Sequence, residues 1–329
     1  MRRRWPGLAT GLLIGAALDA LLADPPSAHP VALFGSTATR AEHTLWADTR
    51  TRGVAFTAAC VVPVAAAGWT LAQISRRKRL AATLATAAAT WTVLGGASLA
   101  AEATRIAEAL DAGDLDTARR RLPALCGRDP DTLDAAEIAR ATVESVAENT
   151  SDAVVAPLLW GAAAGLPGLL AYRAVNTLDA MVGHRSPRYA RFGWSSARLD
   201  DIANLAPARL TALLAAALSP AVGGTPRAAL AVLHRDGANH PSPNAGHCEA
   251  AFAGALGIRL GGTNTYKGRV EQRGLLGNGR APTSDDIERA VRLSRLITLA
   301  ATLISALLAH YLHGRKAQPA GAPLPRSRP

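Results

Sequence analysis

The sequence predicts an all-α, polytopic integral membrane protein with helical polar lobes and a Gly-rich loop region. Three observations carry that prediction. Gly53 to Ile74 and Leu80 to Ala101 are each 22 residues without a charge, enough to cross a hydrocarbon core of roughly 30 Å. Apolar residues make up 49% of the 329-residue chain but aromatics only 4%, and the abundant Ala and Gly suit close helix packing in a bilayer. The mean hydropathy of +0.11 is too low for a bare bundle of spans, so polar lobes must alternate with them.

Met1 to Arg4 is a basic start, and the apolar run from about Leu8 to Ala23 reads as a retained first membrane helix rather than a signal peptide. Asp19 interrupts it, and no clean A-x-A site precedes Asp24. In the following DPPSAHPVALFG, three prolines hold Asp24 and His29 on a rigid loop. The basic RRKR between the two firm spans is of the kind that stays cytoplasmic. These elements form a first region, residues 1–101.

Residues 102–201 form a second region. It opens with a polar helical stretch in which Gly113 and Asp114 break one helix and Asp116 caps the next. This resembles one hairpin of a TPR-like array but does not repeat. On a helix, Glu144, Glu148 and Asp152 stack along one face, with Arg140 extending the row upstream. Three acids in a row repel one another, which makes sense if Mg²⁺ with a phosphate behind it sits against them. The same spacing also fits a water-facing helix end. Ala153 to Ala171 is apolar for 19 residues but carries Pro157, Gly161, Gly165 and Pro167, as a broken or re-entrant helix would. In NTLDAMVGH, Asn176 and Asp179 share a face and His184 follows a glycine, and Asp200 and Asp201 close the region.

The third region, residues 202–312, places a second polar lobe between a doubtful span at 202–222 and a better one at Leu296 to Leu312. Ser242 and Pro243 read as a helix cap and first-turn proline, with His240, Asn244 and His247 nearby to suit an anion or to lie on the surface. GGTNTYKG resembles a phosphate-cradling turn in kind but not a Walker A loop. Lys267 stands in it, one of three lysines (with Lys78 and Lys316) among 36 basic residues. A compact ammonium fits a phosphate where a planar guanidinium fits less well. The tail, 313–329, is rich in proline and basic residues and reads as disordered.

The net charge of +11 is scattered between apolar runs without interleaved aromatics, which argues against nucleic acid and for anionic lipid and phosphorylated substrates. Cys60, Cys126 and Cys248 show neither zinc-ligand spacing nor a disulfide framework.

Taken in order, DPPSAHPV, ESVAENTSDAVVAPLLW, YRAVNTLDAMVGHR, HPSPNAG and LGGTNTYKG resemble the adenosylcobinamide-phosphate synthase family (CbiB/CobD) of cobalamin biosynthesis, over residues 11 to 312. The resemblance implies a multi-pass enzyme of the cell membrane, an acid–amine ligase. Such an enzyme joins adenosylcobyric acid to (R)-1-aminopropan-2-ol phosphate, or to aminopropanol, with ATP as co-substrate and Mg²⁺. Its partners would be the corrinoid, the amine, the lipid bilayer and other late cobalamin enzymes.

On chemical grounds Glu144, Glu148, Asp152 and Asp179 are the metal candidates. Lys267, Arg269 and Arg173 are the phosphate clamps, and His184, His240 or His247 takes the proton from the attacking ammonium. Asp24, His29, Asn149, Asn176, Asn244, Gly261, Gly262 and Asn264 complete the candidate substrate and phosphate set. No DxHxxG motif is present, so the corrin ring is expected against Trp160, Trp194 and small-residue helices.

Two other classes compete. An intramembrane transferase of the UbiA or CDP-alcohol type needs paired aspartate motifs, with which His184 and Asp200 are out of register. A non-catalytic assembly factor explains the helical hairpin at 102–143 but not the stacked carboxylates.

Overall fold

The computed structural model describes residues 5–24, 29–184, 186–266 and 269–313. Thirteen α-helices and one two-stranded hairpin are formed among them. In chain order the helices are α1 (Leu8–Leu22), α2 (Pro30–Leu45), α3 (Arg50–Ser75), α4 (Arg79–Val93), α5 (Gly96–Asp111), α6 (Leu115–Arg121) and α7 (Ala135–Thr150). Then come α8 (Ala156–Leu178), α9 (Trp194–Ala203), α10 (Leu205–Leu218), α11 (Pro226–Asp236), α12 (Ala245–Leu256) and α13 (Ser284–His313).

Among the described residues, five helical runs are long and apolar enough to cross a membrane: Arg50–Ser75, Arg79–Asp111, Ala135–Gly183, Leu205–Val222 and Ser284–His313. The chain is thus an all-α polytopic membrane protein, as its composition predicts. The doubtful segment at 202–222 meets the length. The N-terminal apolar helix does not: its 15 residues rise only about 22 Å.

Small residues set the packing. α1 lies along α4 with Gly11 and Gly15 pressed on Thr86 and Thr90, where a Cβ on Gly15 would fall 2.4 Å from Thr90 Cβ. Asp19 continues that glycine row. Its buried carboxylate accepts the Ala97 N–H at 3.3 Å, so α1 caps the start of α5. The span expected to run unbroken through Ala101 is therefore interrupted at Leu94 and Gly95, where α4 ends and α5 begins.

Three further details differ from expectation. Asp114, not Asp116, caps α6, accepting the Thr117 N–H at 2.9 Å, because it immediately precedes the first helical residue, Leu115, while Asp116 lies inside the first turn. α12 begins at Ala245, two residues beyond Pro243, and the Ser242 hydroxyl accepts the N–H groups of Asn244 and Ala245. The Gly-rich stretch forms an antiparallel hairpin of β1 (Leu260–Tyr266) and β2 (Arg269–Leu276), with a bulge between Leu260 and Gly262, rather than a phosphate-cradling turn. Gly261 and Gly262 sit at φ of 78° and 90°, in the region that favours glycine.

The long run Ala135–Gly183 is not a uniform helix. It bends at Gly165, whose φ of 68° and ψ of −155° break the helical backbone just before Pro167. Two π-helical turns interrupt it as well, at Ser151–Val155 and Asp179–Gly183.

Candidate functional site

Each π turn carries one acid, Asp152 in the first and Asp179 in the second. A π turn takes one more residue than an α turn and swings the following side chains round the axis, a distortion concentrated at functional sites. Asp152 is thereby taken out of simple succession with Glu148. It lies within electrostatic reach of Glu148, Asp179 and Asp200, so carboxylates from α7, both π turns and α9 gather in one region. A Cβ on Gly183 would fall 1.9 Å from Asp179 Oδ1, so the glycine leaves room for that carboxylate to fold back over its own turn.

A chain of hydrogen bonds fixes this cluster. The Tyr172 hydroxyl lies 2.8 Å from Asn204 Oδ1 and 3.1 Å from the Asp152 carbonyl. Asn204 Nδ2 donates to Asp200 Oδ2 at 2.9 Å, Asn176 Nδ2 approaches Asp200 Oδ1 at 3.3 Å, and Arg173 Nη1 reaches Asn176 Oδ1 at 3.4 Å. Burial pushes the Asp200 carboxyl up to about 6, against the lowering effect of the two amide donors, with Asp201 and Glu148 adding to the rise. Arg173 lies within electrostatic reach of both Asp24 and Asp152. Asp24 Oδ1 is 3.5 Å from His29 Nε2, while His29 Nδ1 caps α2 by accepting the Val31 N–H. The structure therefore brings together Asp24, His29, Glu148, Asp152, Arg173, Asn176 and Asp179, drawn from three distant stretches of sequence.

Glu144 belongs elsewhere. It is ion-paired with Arg128, both buried, and its Oε1 accepts the Gly261 N–H at 2.7 Å. Beside it lies a second buried cluster. Glu249 of α12, 1% exposed, has Oε1 3.8 Å from His240 Nε2, and Arg273 Nη1 is 3.1 Å from the same nitrogen. Burial raises the Glu249 carboxyl well above its usual range, and Glu144 and Glu148 raise it further. Burial and Arg273 lower His240 to about 4, so its ring is neutral at pH 7. Glu148 lies within reach of both clusters and joins them.

The remaining candidates are dispersed. His184, exposed, sits just after the second π turn, edge-on to Tyr189 with ring centroids 5.0 Å apart. His247 lies near Arg209, and burial followed by that guanidinium lowers its basicity. Asn244 ties α12 to its neighbours, accepting from Arg209 Nη1 and donating to the Asp201 carbonyl, each at 2.8 Å. Asn149 Nδ2 is spent on the Ser145 carbonyl at 2.9 Å. Trp160 donates to the Ala203 carbonyl and Trp194 lies under Arg50, so neither indole faces the acids as a free platform. Lys267 lies outside the described residues, as does the side chain of Arg269.

Among the described residues no three His, Cys, Asp or Glu side chains converge closely enough to hold a metal by themselves. The expected row of Glu144, Glu148 and Asp152 is thus not a three-ligand cage: Arg128 and Gly261 occupy Glu144, and the π turn moves Asp152. The gathered carboxylates of Glu148, Asp152 and Asp179 are hard oxygen donors of the kind that hold Mg²⁺ through one or two protein ligands, with water and substrate phosphate completing the shell.

Sequence reasoning passed over Tyr172, Asn204, Arg128 and Glu249 as site residues. The signals were faint: Asn204 falls four residues after Asp200, and Glu249 is the lone acid in an otherwise Ala- and Gly-rich helix.

Comparison with known proteins adds an independent line. The family model described as CobD/Cbib protein matches residues 12–294. The chain is 49% identical over 306 residues to the cobalamin biosynthesis protein CobD of Mycobacterium tuberculosis, covering 93% of this chain and 97% of the relative. It is 42% identical over 311 residues to the CobD of Pelobacter propionicus, covering 93% and 96%. Identity to the CobD of Chromobacterium violaceum is 40% over 314 residues, covering 92% and 98%. No solved structure matches.

Proposed function

The chain belongs to the CobD/CbiB family, which acts in cobalamin biosynthesis, and from that premise we propose that it is the acid–amine ligase that makes adenosylcobinamide phosphate at the cell membrane. Adenosylcobyric acid and (R)-1-aminopropan-2-ol phosphate, or aminopropanol itself, are the substrates, with ATP consumed and Mg²⁺ required. The observation that carries this reading is the set of carboxylates from four elements gathered within electrostatic reach of Asp152, with Arg173 beside it. Like charges gathered at this cost in repulsion are explained if a cation-bearing phosphate compound binds among them.

An amide cannot form from a carboxylate without a leaving group. The corrin propionate oxygen attacks the terminal phosphorus of ATP, giving an acyl phosphate and ADP. The free amine then attacks the acyl carbon, and inorganic phosphate leaves. One or two of Glu148, Asp152 and Asp179 would hold Mg²⁺, which when bound would neutralise charge on the transferring phosphoryl group. Arg173, fixed by Asn176, supplies a positive charge on the same side of the cluster.

The amine arrives as an ammonium and must lose a proton before it attacks. In this reading His184, exposed beside the second π turn, accepts it, since His240 is shut in by Arg273 and Glu249. Asn204 and Tyr172 act by orienting Asp200 and the backbone of Asp152.

The test is to incubate detergent-purified protein with adenosylcobyric acid, the amine, Mg²⁺ and ATP, and to follow the corrinoid by mass spectrometry. Product that appears only with ATP is expected. Absence of product with either amine would overturn the reading.

A further inference from the structure

Among the described residues, Arg140 and Asn264 present buried hydrogen-bond donors with no acceptor. Arg140, on the same face of α7 as Glu144, reaches across to the hairpin. Its Nη1 donates to the Gly261 carbonyl, and its Nη2 donates to the Thr263 carbonyl at 2.9 Å and approaches Asn264 Oδ1 at 3.3 Å. All three acceptors are neutral. Among the described residues no carboxylate pairs with this guanidinium: Glu144, one turn along the helix, is held by Arg128 and the Gly261 N–H.

Because an arginine has only donors, it fixes the Asn264 amide with Oδ1 toward it and Nδ2 turned away. Asn264 is 2% exposed, and among the described residues neither its Nδ2 nor Arg140 Nε has a partner. Both orphans are donors, so the missing group is an acceptor. An unpartnered buried donor carries a desolvation cost that a bound acceptor would relieve. The backbone makes room for the contact as well, since a Cβ on Gly262 would fall 3.0 Å from Arg140 Nη1. The acid nearest in register is Glu271, opposite Asn264 on β2, and it lies 3.7 Å from Arg273 Nη2.

We propose that Arg140 and Asn264 form an oxyanion subsite at the root of the hairpin, built to take the phosphoryl group of a substrate. A carboxylate-lined cluster reached through Glu148 and a donor-lined hairpin root then divide the labour, the first for the cation and the second for the anion of one phosphate compound. The subsite's place in the reaction rests on the ligase reading; its capacity to bind phosphate does not.

The probe is inorganic phosphate, titrated calorimetrically into the full-length protein in detergent. Asn264→Asp keeps Oδ1 for Arg140 while replacing the orphan donor by a negative oxygen; Asn264→Ala removes the donor without adding charge. Each variant is checked for an unchanged helical circular dichroism signal, and either one that passes suffices. Saturable binding by the wild type, weakened at least 10-fold in the variant, is expected. Wild-type affinity in a folded variant, or no saturable binding by the wild type, would overturn the subsite.

Competition separates the sources. Displacement of phosphate by ATP alone assigns the subsite to the nucleotide, displacement by aminopropanol phosphate alone assigns it to the amine, and displacement by neither refutes a substrate role. Phosphate binding with displacement, but without amide formation in the assay above, would mark failure of the ligase reading while leaving the subsite standing.

Discussion

Glu144 Oε1 accepts the Gly261 backbone N–H at 2.7 Å, joining α7 to the hairpin across 117 residues of sequence. The same carboxylate neutralises Arg128, and both side chains are buried. Glu144 is therefore a fastener of the fold rather than a metal ligand. Glu144→Gln removes the carboxylate that neutralises the buried Arg128 guanidinium, and thermal unfolding in detergent should show a loss of about 3 to 5 kcal/mol. The Mg²⁺ concentration at half-maximal turnover should not move. Replacing both partners together, Glu144→Leu with Arg128→Met, should recover much of that loss.

Glu148 gives the opposite pattern. Among the described residues it pairs with no base at hydrogen-bond distance; acids of both clusters lie within its electrostatic reach, as do Arg273 and Arg128. Glu148→Gln removes one like charge from the cluster, so folding should be unharmed. Product formation should fall on the order of 100-fold or more. Lys267→Ala should likewise abolish product while leaving membrane insertion intact. Wild-type turnover in these variants, measured by mass spectrometry of the corrinoid, would remove the residues from the mechanism.

The contrast between those two glutamates marks how far the sequence could be read. The spans at 53–74 and 296–312 and the break near Gly165 follow from hydropathy and from proline and glycine, which act locally. Glu144 and Glu148 are identical to any periodicity argument, being one turn apart on the same face. What separates them is Arg128 in a loop and Gly261 in a hairpin, contacts no spacing rule encodes. The π turns were equally hidden, since neither SDAVV nor DAMVG carries a local signature of the extra residue. Buried polar partners such as Tyr172 with Asn204 are products of tertiary packing alone.

Asp200 makes stability depend on pH in a particular direction. Its carboxyl is raised from 3.8 to about 6 in the folded protein. A raised carboxyl favours the folded state below the unfolded value, and that contribution disappears as pH climbs through about 6. Asp200→Asn, which cannot ionise, should therefore gain on the wild type as pH rises from 4 to 8, by about 3 kcal/mol across that window. Melting temperatures of the two proteins at matched pH values check it. Parallel curves would show that the charge on Asp200 is not burdened by burial.

The contact of α1 with α4 tests the membrane packing. Gly15 meets Thr90 so closely that any side chain forces the helices apart. Gly15→Leu should destabilise the protein by about 1 to 3 kcal/mol through overpacking. Gly113, whose Cβ would meet nothing within 4 Å, serves as a control for glycine replacement, though its φ of 71° keeps a small penalty. Detergent thermal shifts should rank Gly15→Leu well below Gly113→Asn.

His240 titrates in the opposite sense to Asp200. Burial and Arg273 lower it from 6.5 to about 4, so the folded state excludes a proton that the unfolded chain takes up readily. A lowered base contributes stability above the unfolded value, and that contribution drains away as pH falls from about 6.5 through 4. The Ser242 N–H donates to Nδ1 and Arg273 Nη1 approaches Nε2, so each ring nitrogen faces a donor and the charged, doubly protonated ring is disfavoured. His240→Asn should flatten the acid limb of the stability curve by about 3 kcal/mol between pH 7 and pH 4 while leaving it lower at pH 7. If the acid limb keeps its wild-type slope, proton uptake there belongs to other groups, and His240 is not the residue that ties the hairpin and α12 to neutral pH.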